Sequence, residues 1–409
     1  MARVIVIGAG AAGTMAAAFA ARGGAETLLL ERTRDGGRKI LISGGGRCNV
    51  LPLQVDESRF VTDSSPNLLS KMVRAWPLAE QRRFFEDDLA IALVDEPESR
   101  KVFPASHRAR DVRDGLLAHA AALGVQFMAD TTVTGIAPDA SGWRVDRAGA
   151  GPLFADALIV ATGGLSVPTT GSDGFGLRAL TALGHTMHPS YAALTPITAK
   201  HAAYNALAGV SLTVTLSARS AERSATATGG FLFTHHGYSG PAVLDVSHVL
   251  VRSRAQGDGS ARLVARWTPM GDAEWDGALK PNGARTAIGA LRSEMPERLA
   301  AVLLATAGVD AARTLAELRR TERLRLVDVL VRGDLPWTGD EGYKKAEVTG
   351  GGVALSEVDA RTMESRRHAG LFICGEALDA FGPIGGYNFL WAWATGRAAG
   401  IGAGGVGRA

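Results

Sequence analysis

Apolar and polar positions change their rhythm twice along the 409 residues. The chain opens with a short apolar run, "RVIVI", then a glycine turn, then the alanine-rich "TMAAAFAARG". "ETLLLE" is a second such run, closing on Glu31. Continuous apolar runs of strand length, alternating with helical stretches, predict a buried parallel sheet covered on its faces. Residues 66–90 read as helical, with Leu68, Leu69, Met72, Trp76, Phe84 and Phe85 as apolar positions. His107–Gly124 is a further helix, ended by its glycine. "VQFMA", "TTVTGIAPDASGWRVDR" and "FADALIVATGG" read as strands, the middle one a hairpin turning at Ser141-Gly142.

From about residue 190 the period becomes two. "GVSLTVTLSAR" alternates Val210, Leu212, Val214 and Leu216 with Ser211, Thr213, Thr215 and Ser217, as a half-buried antiparallel strand does. "ARLVARWTP" alternates similarly, and two helical stretches follow between about 283 and 332. At "AEVTGGGVAL" the β/α texture returns, and the last residues, "IGAGGVGRA", are expected to fray. The pattern is an α/β domain interrupted by a β-rich, partly helical insertion.

Composition narrows the classes. Apolar residues make up 46% and charged residues 21%, an ordinary globular balance. Lys and Arg number 44 against 41 Asp and Glu, and no basic run is interleaved with aromatics, so no nucleic-acid partner is expected. The N-terminal apolar stretch is broken by Gly8, Gly10 and Gly13, which suits a strand and turn better than a signal peptide. No run of about twenty apolar residues suggests a membrane partner. Cys48 and Cys374 are too few for a disulfide framework and fit a reducing cytoplasm.

Gly8, Gly10 and Gly13 form G-x-G-x-x-G, with Ala11 and Ala12 opening the helix that follows. Gly8 permits the tight turn, Gly10 lets a pyrophosphate approach the backbone, and Gly13 lets helix and strand pack closely. The helix N-terminus then faces the phosphate charge. Glu31 ends the second strand, about twenty residues on, where an acid accepts hydrogen bonds from an adenosine ribose.

That motif does not separate FAD from NAD, but later stretches do. "ALIVATGG" ends a strand in a small-residue turn, Ala161, Thr162, Gly163 and Gly164, where backbone passes close to a ligand. "GLFICGEALDAFGPIGGYNFLWAWATGRAAG" supplies another buried strand, then Gly375-Glu376, then a helix opened by Gly385, Gly386, Tyr387 and Asn388. An acid at that strand end suits ribityl or pyrophosphate groups. The helix end places amide donors and a positive dipole against a flavin N1/O2 edge. NAD needs no such distant third element; FAD does.

The stretches "GRKILISGGGRCN", "GGFLFTHHGYSGPAVLDVS" and "TMESRRHAGLFICGEALDAFGPIGGYNFLWAWATGRAAG" resemble the BaiN-like flavoproteins, which include the aminoacetone-oxidase-like FAD enzymes. With "GAGAAG", "KVFPASHRARDV" and "ATGGLSVPTTGSDGFG", the resemblance covers nearly the full length. It implies a flavin-dependent oxidoreductase of mixed α/β class. Its Rossmann-like, glutathione-reductase-type FAD domain is built from residues 1–190 and 343–409. An inserted β-barrel-like domain carrying helices, residues 191–342, roofs the isoalloxazine. After Asn49 the family pattern continues Thr-Asn, whereas this chain has "VLPL", so another member's substrate is not carried over.

In that setting "RDGGRKILISGGGRCN" lies beside the pyrophosphate. Gly37, Gly44 and Gly45 offer bare backbone, and Arg38 or Lys39 offsets phosphate charge. Arg47 and Asn49 stand near the flavin ring, and Arg32, Ser43, Cys48 and Val133 complete the expected cofactor shell. Cys48 reads as a small packing residue rather than a redox centre, since no second cysteine adjoins it. His235 and His236, in a turn, with Tyr238 and Asn49, are the candidates for a proton donor or polar clamp over the flavin. Adjacent histidines point apart and no third ligand has the right spacing, so no metal is expected. Trp391 and Trp393 are expected to pack against the sheet.

No second strand–glycine–helix unit is visible. Reduced nicotinamide therefore docks transiently over the flavin, or electrons come from the substrate and leave to oxygen. The expected reaction is hydride transfer between flavin N5 and a small organic substrate, as unsaturated-ketone reduction or amine oxidation. A flavin-dependent RNA-modifying protein and a flavin-binding regulatory module are the alternatives. The missing basic run and the absence of CxxC speak against RNA.

Overall fold

In the computed structural model, which describes residues 1–140, 142–281 and 283–406, the first and last apolar segments share one five-stranded parallel sheet. Its order is Leu371–Ile373, Ala157–Val160, Arg3–Ile7, Glu26–Leu30, Gln126–Met128. Val4, Ile5 and Val6 pair in register with Ala157, Leu158 and Ile159 on one side and Thr27, Leu28 and Leu29 on the other. These central positions are buried on both faces, which is why they read as unbroken apolar runs.

One face is covered by two helices, Ala11–Arg22 and the final helix Tyr387–Gly404. They touch through small residues. A Cβ on Gly396 would collide with the Ala12 carbonyl oxygen, and one on Gly400 with that of Ala16; at Gly404 it would stand 3.0 Å from Ala20 O. The three contacts advance together along both chains, so the helices run parallel.

Two expectations change here. The stretch 66–90 is not one helix but Pro66–Arg74 and Leu78–Arg83, with a wider turn over Phe84–Asp88. Pro77 lacks an N–H and disfavours helical backbone at Trp76, so the first helix stops before it. The tail expected to fray is helical through Gly404, held by the seam against Ala20; residues 407–409 lie outside the described residues. So does Ser141, although the hairpin it was expected to turn is present as Val133–Asp139 against Gly142–Arg147.

The chain divides into two compact units, Met1–Ser190 with Val348–Ala409, and Tyr191–Glu347. The second unit is built on a seven-stranded antiparallel sheet. Ser211–Arg219 pairs along its length with Ser224–Thr234, and Val214, Leu216 and Ala218 face its core. The helix Pro241–Ala255 packs with them, and Phe231, Phe233, Tyr204 and Trp267 fill the interior. Among the described residues no helix is long and apolar enough to cross a membrane.

Candidate functional site

The first wall of the site is the glycine turn. Gly8 N–H donates to Leu30 O at 2.8 Å, tying the turn to the neighbouring strand. A Cβ on Gly13 would collide with Gly8 O, so the helix sits against the turn only because residue 13 has no side chain. Around Gly10 the space is open, with no heavy atom within 4 Å of where a Cβ would stand. Glu31 is buried, and its carboxylate joins the two strand ends. Oε2 accepts from Ala9 N–H at 2.9 Å, while Oε1 accepts from Thr33 N–H and Oγ1 at 2.8 Å each. Gly37 N–H donates to Ala9 O at 2.8 Å, which seats the "RDGG" loop beside the turn. Val133 lies two residues beyond Thr131, whose N–H donates to Glu31 O at 2.8 Å.

The second wall follows the strand Ala157–Val160. Ala161 N–H donates to Ile7 O at 3.0 Å, and the Thr162–Gly164 turn then passes the Gly375 loop. A Cβ on Gly164 would run into Thr349 Oγ1 and stand 2.8 Å from Glu376 Oε1. Glu376 is a hub. It pairs with Lys39 Nζ at 2.8 Å and accepts from Ser166 Oγ at 2.8 Å and Thr349 N–H at 3.0 Å. Burial pushes its carboxyl up, but the Lys39 ammonium and these hydrogen bonds outweigh burial and hold it below the ordinary range. Lys39 is thus committed to a carboxylate, and Arg38 pairs with Asp35 at 2.8 Å on the surface. Arg32 pairs with exposed Asp173.

The third wall is the glycine triplet. Gly44, Gly45 and Gly46 have φ of +56°, +68° and +86°, three consecutive left-handed residues. A side chain costs about 1–2 kcal/mol at each such position, so glycine is required for this path. Gly45 also faces open space. Ser43 O accepts from Cys48 N–H at 3.0 Å, closing the loop. Cys48 is buried and its thiol is pushed up to about 12 by that burial, which leaves no thiolate for redox chemistry. Arg47 lies over the Phe103 ring at 4.2 Å and pairs with Glu96 at 3.1 Å. Half-buried Asn49 packs near Gly44.

The fourth wall is the mouth of the final helix. A Cβ on Gly386 would collide with the backbone of Leu51-Pro52, the segment continuing from the triplet. Trp393 Nε1 donates to Val50 O at 3.0 Å, and Trp391 Nε1 to Gly375 O at 3.0 Å. Both indoles pack in the core, as expected, and each also pins one wall to this helix. Tyr387 OH donates to Gln54 O at 3.1 Å. The Asn388 amide spans the Gly382 backbone, accepting at 2.9 Å and donating at 3.0 Å, so it shapes the loop before the helix.

Helix register sets the spacing of the two positive ends. Gly396 is level with Ala12 near the start of the first helix, while the final helix begins nine residues earlier, at Tyr387. The first helix begins one residue before that level, at Ala11, so the mouth of the final helix projects by eight residues, about 12 Å, beyond that of the first. A ligand with a phosphate at one end and a developing anionic ring edge at the other fits two positive ends so placed. The open faces at Gly10 and Gly45 leave room for it beside bare backbone. These residues suit FAD.

In the second unit, His235 and His236 are exposed in the turn between Ser224–Thr234 and Gly237–Ser239. Tyr238 is different. It is 1% exposed among Tyr204, Phe231 and Phe233, its hydroxyl donates to Pro336 O at 2.9 Å, and burial raises its pKa. It is a core residue, and no proton transfer is assigned to it. Sequence reasoning passed over Ser166 and Thr349. Ser166 lies in a stretch that carried the family resemblance, but nothing in its spacing marks it.

A model of the HI0933-like protein Rossmann domain matches residues 2–402. The chain belongs to this family. As an HI0933-like protein it is a flavin-dependent oxidoreductase with FAD as cofactor. It is 30% identical to the ribosomal RNA dihydrouridine synthase of Escherichia coli, covering 96% of this chain and 95% of that one. It is 29% identical to the 3-dehydro-bile acid delta(4,6)-reductase of Clostridium scindens, with 98% of each covered. The fold is similar to that of 3-ketosteroid delta1-dehydrogenase from Sterolibacterium denitrificans, with a TM-score of 0.53 at 14% identity over 98% of this chain and 99% of that one.

Proposed function

We propose that this HI0933-like protein reduces a carbon–carbon double bond conjugated to a carbonyl in a small organic molecule, with electrons from reduced nicotinamide in the cytoplasm. One observation carries the reading. Two full-length relatives, named for dihydrouridine synthesis and for delta(4,6) reduction of a 3-dehydro bile acid, share a single chemistry behind different substrates. In each case the reducible double bond is conjugated to a carbonyl group.

Bound FAD, once reduced by NAD(P)H, would supply a hydride to the β-carbon of the substrate, with solvent supplying the proton that completes the α-carbon. In this reading Glu31 and the glycine turn hold the adenylate end. The Lys39–Glu376–Ser166 network fixes the strand-end loop beside the ribityl chain. The triplet and the final helix mouth present backbone to the ring. Asn388, through its two bonds to Gly382, would keep the Gly382–Gly386 loop in place there.

A ribosomal RNA substrate is the second reading, favoured by the 30% identity to the Escherichia coli synthase. Stopped-flow mixing tests both. Rapid anaerobic bleaching of the flavin by NADH or NADPH, followed by reoxidation with a cyclic enone, is the expected result. Bleaching by amines alone overturns the reductase reading. Reoxidation by ribosomal RNA but not by enones, with salt-sensitive RNA binding, transfers it to the second reading.

A further inference from the structure

Away from the glycine-lined rim, the first unit carries a cavity of about 520 Å³ between the helix Pro66–Arg74 and the loop at Ala360–Arg361. Asn67, Ser70 with Lys71, and Arg74 recur three to four residues apart, so one face of the helix lines it. Arg361 lines it from the loop. Among the described residues no aspartate or glutamate does so.

The donors here have no protein partner. Among the described residues the side chains of Asn67, Ser70, Lys71 and Arg361 form no hydrogen bond or ion pair. The acids nearby are engaged by other arginines. Glu57 accepts from Arg74 Nε at 3.0 Å and from Nη2 at 2.9 Å. Asp359 pairs with Arg366 at 3.7 Å, and Glu357 pairs with Arg367. Lys71 and Arg361 are therefore uncompensated cations on one concave surface, which concentrates positive potential inside it.

The cavity is remote from the mouth of the final helix. A Cβ on Gly402 would stand 2.9 Å from Thr362, the neighbour of Arg361. Gly402 is fifteen residues beyond Tyr387, so that point of the helix lies about 22 Å from its mouth. A phosphate monoester, with about two negative charges and three acceptor oxygens, matches two free cations flanked by a hydroxyl and an amide. The volume suits a small molecule. A polynucleotide needs a longer cationic track, and the next arginines, Arg366 and Arg367, are already paired.

We propose that this cavity binds a phosphate monoester of nucleotide size, held by Lys71 and Arg361, with Asn67 and Ser70 donating to its oxygens. The site is separate from the flavin site, and the proposal does not depend on the reductase reading.

The test is calorimetric titration of FAD-loaded protein, in which the adenylate end of the other site is filled. AMP is the probe, and adenosine, inorganic phosphate and a short single-stranded RNA are the comparisons. AMP should bind saturably, adenosine should not, and inorganic phosphate should compete. Affinity should fall as pH drops through about 6, where the phosphate loses a charge and both cations keep theirs. Lys71→Met and Arg361→Met should each weaken AMP about tenfold, and Lys71→Arg should retain most of the affinity. All three change exposed residues and should keep wild-type FAD content. No AMP binding to FAD-loaded wild type, or unchanged affinity in the variant carrying both Lys71→Met and Arg361→Met, overturns the assignment. RNA binding that this variant loses, with none for AMP, overturns it in favour of a polynucleotide surface.

Discussion

Where the first helix meets the final one, Ala12, Ala16 and Ala20 lie against Gly396, Gly400 and Gly404, with backbone touching backbone. The inserted unit is closed in the opposite way. Phe233 stacks on Trp267 at 6.0 Å, Phe231 meets Phe233 edge-on at 4.8 Å, and Tyr204 and Tyr238 complete the cluster. Large rings fill volume and resist small changes through packing. Small residues bring the two helices together backbone to backbone, with Gly375 close against Ala12 at the same end. The first arrangement shapes the candidate site; the second fills a core.

Breaking the small-residue contacts should have the largest effect. Gly13→Val drives a side chain into the Gly8 carbonyl, with no flexible group to yield. It should destabilise by more than about 4 kcal/mol and leave protein without FAD, read by the ratio of visible to ultraviolet absorbance. Phe233→Ala removes a fully buried ring from the other unit and should cost about 3–5 kcal/mol in denaturant unfolding. FAD content should survive at temperatures where the protein stays folded. If Phe233→Ala empties the cofactor site while Gly13→Val does not, the division of labour between the units is wrong.

An acid titration sharpens the contrast. Burial pushes His248, in the inserted unit, down to about 4, so the folded state favours its neutral form. That stability is fully present above the ordinary histidine range and is lost as pH falls from about 6.5 toward 4, on the order of 3 kcal/mol. Hydrogen exchange should show loss of protection in Ser211–Arg219 and Pro241–Ala255 over that window, and His248→Asn should flatten the dependence. The smallest change concerns one hydrogen bond. Thr395 Oγ1 accepts from Gly375 N–H at 3.0 Å, and Thr395→Val should cost about 1–3 kcal/mol with faster loss of FAD on dilution.

How much of this was legible beforehand follows from distance along the chain. The strand, turn, helix and Glu31 sit within thirty-one residues, so local spacing reveals them. The parallel sheet could be read from apolar runs because its strands are buried on both faces. The Lys39–Glu376 pair joins residues 337 apart, and no pattern in either segment announces the other. Lys39 looked like a phosphate cation for that reason. Tyr238 was misleading because it follows a histidine turn, where a tyrosine looks exposed, although the strand's inward face carries it into the core.

With the cofactor spanning both mouths, the eight-residue offset between the two helices would be a gauge of ligand length. A molecule long enough to reach both mouths gains from the second as soon as it is held at the first, as joined binding modules do. FMN or ADP, each reaching only one mouth, forfeits that advantage. Inserting one helical turn between Asn388 and Gly396 would move the far mouth outward by about 5.4 Å, leave the glycine seam intact, and retune which dinucleotide the protein accepts.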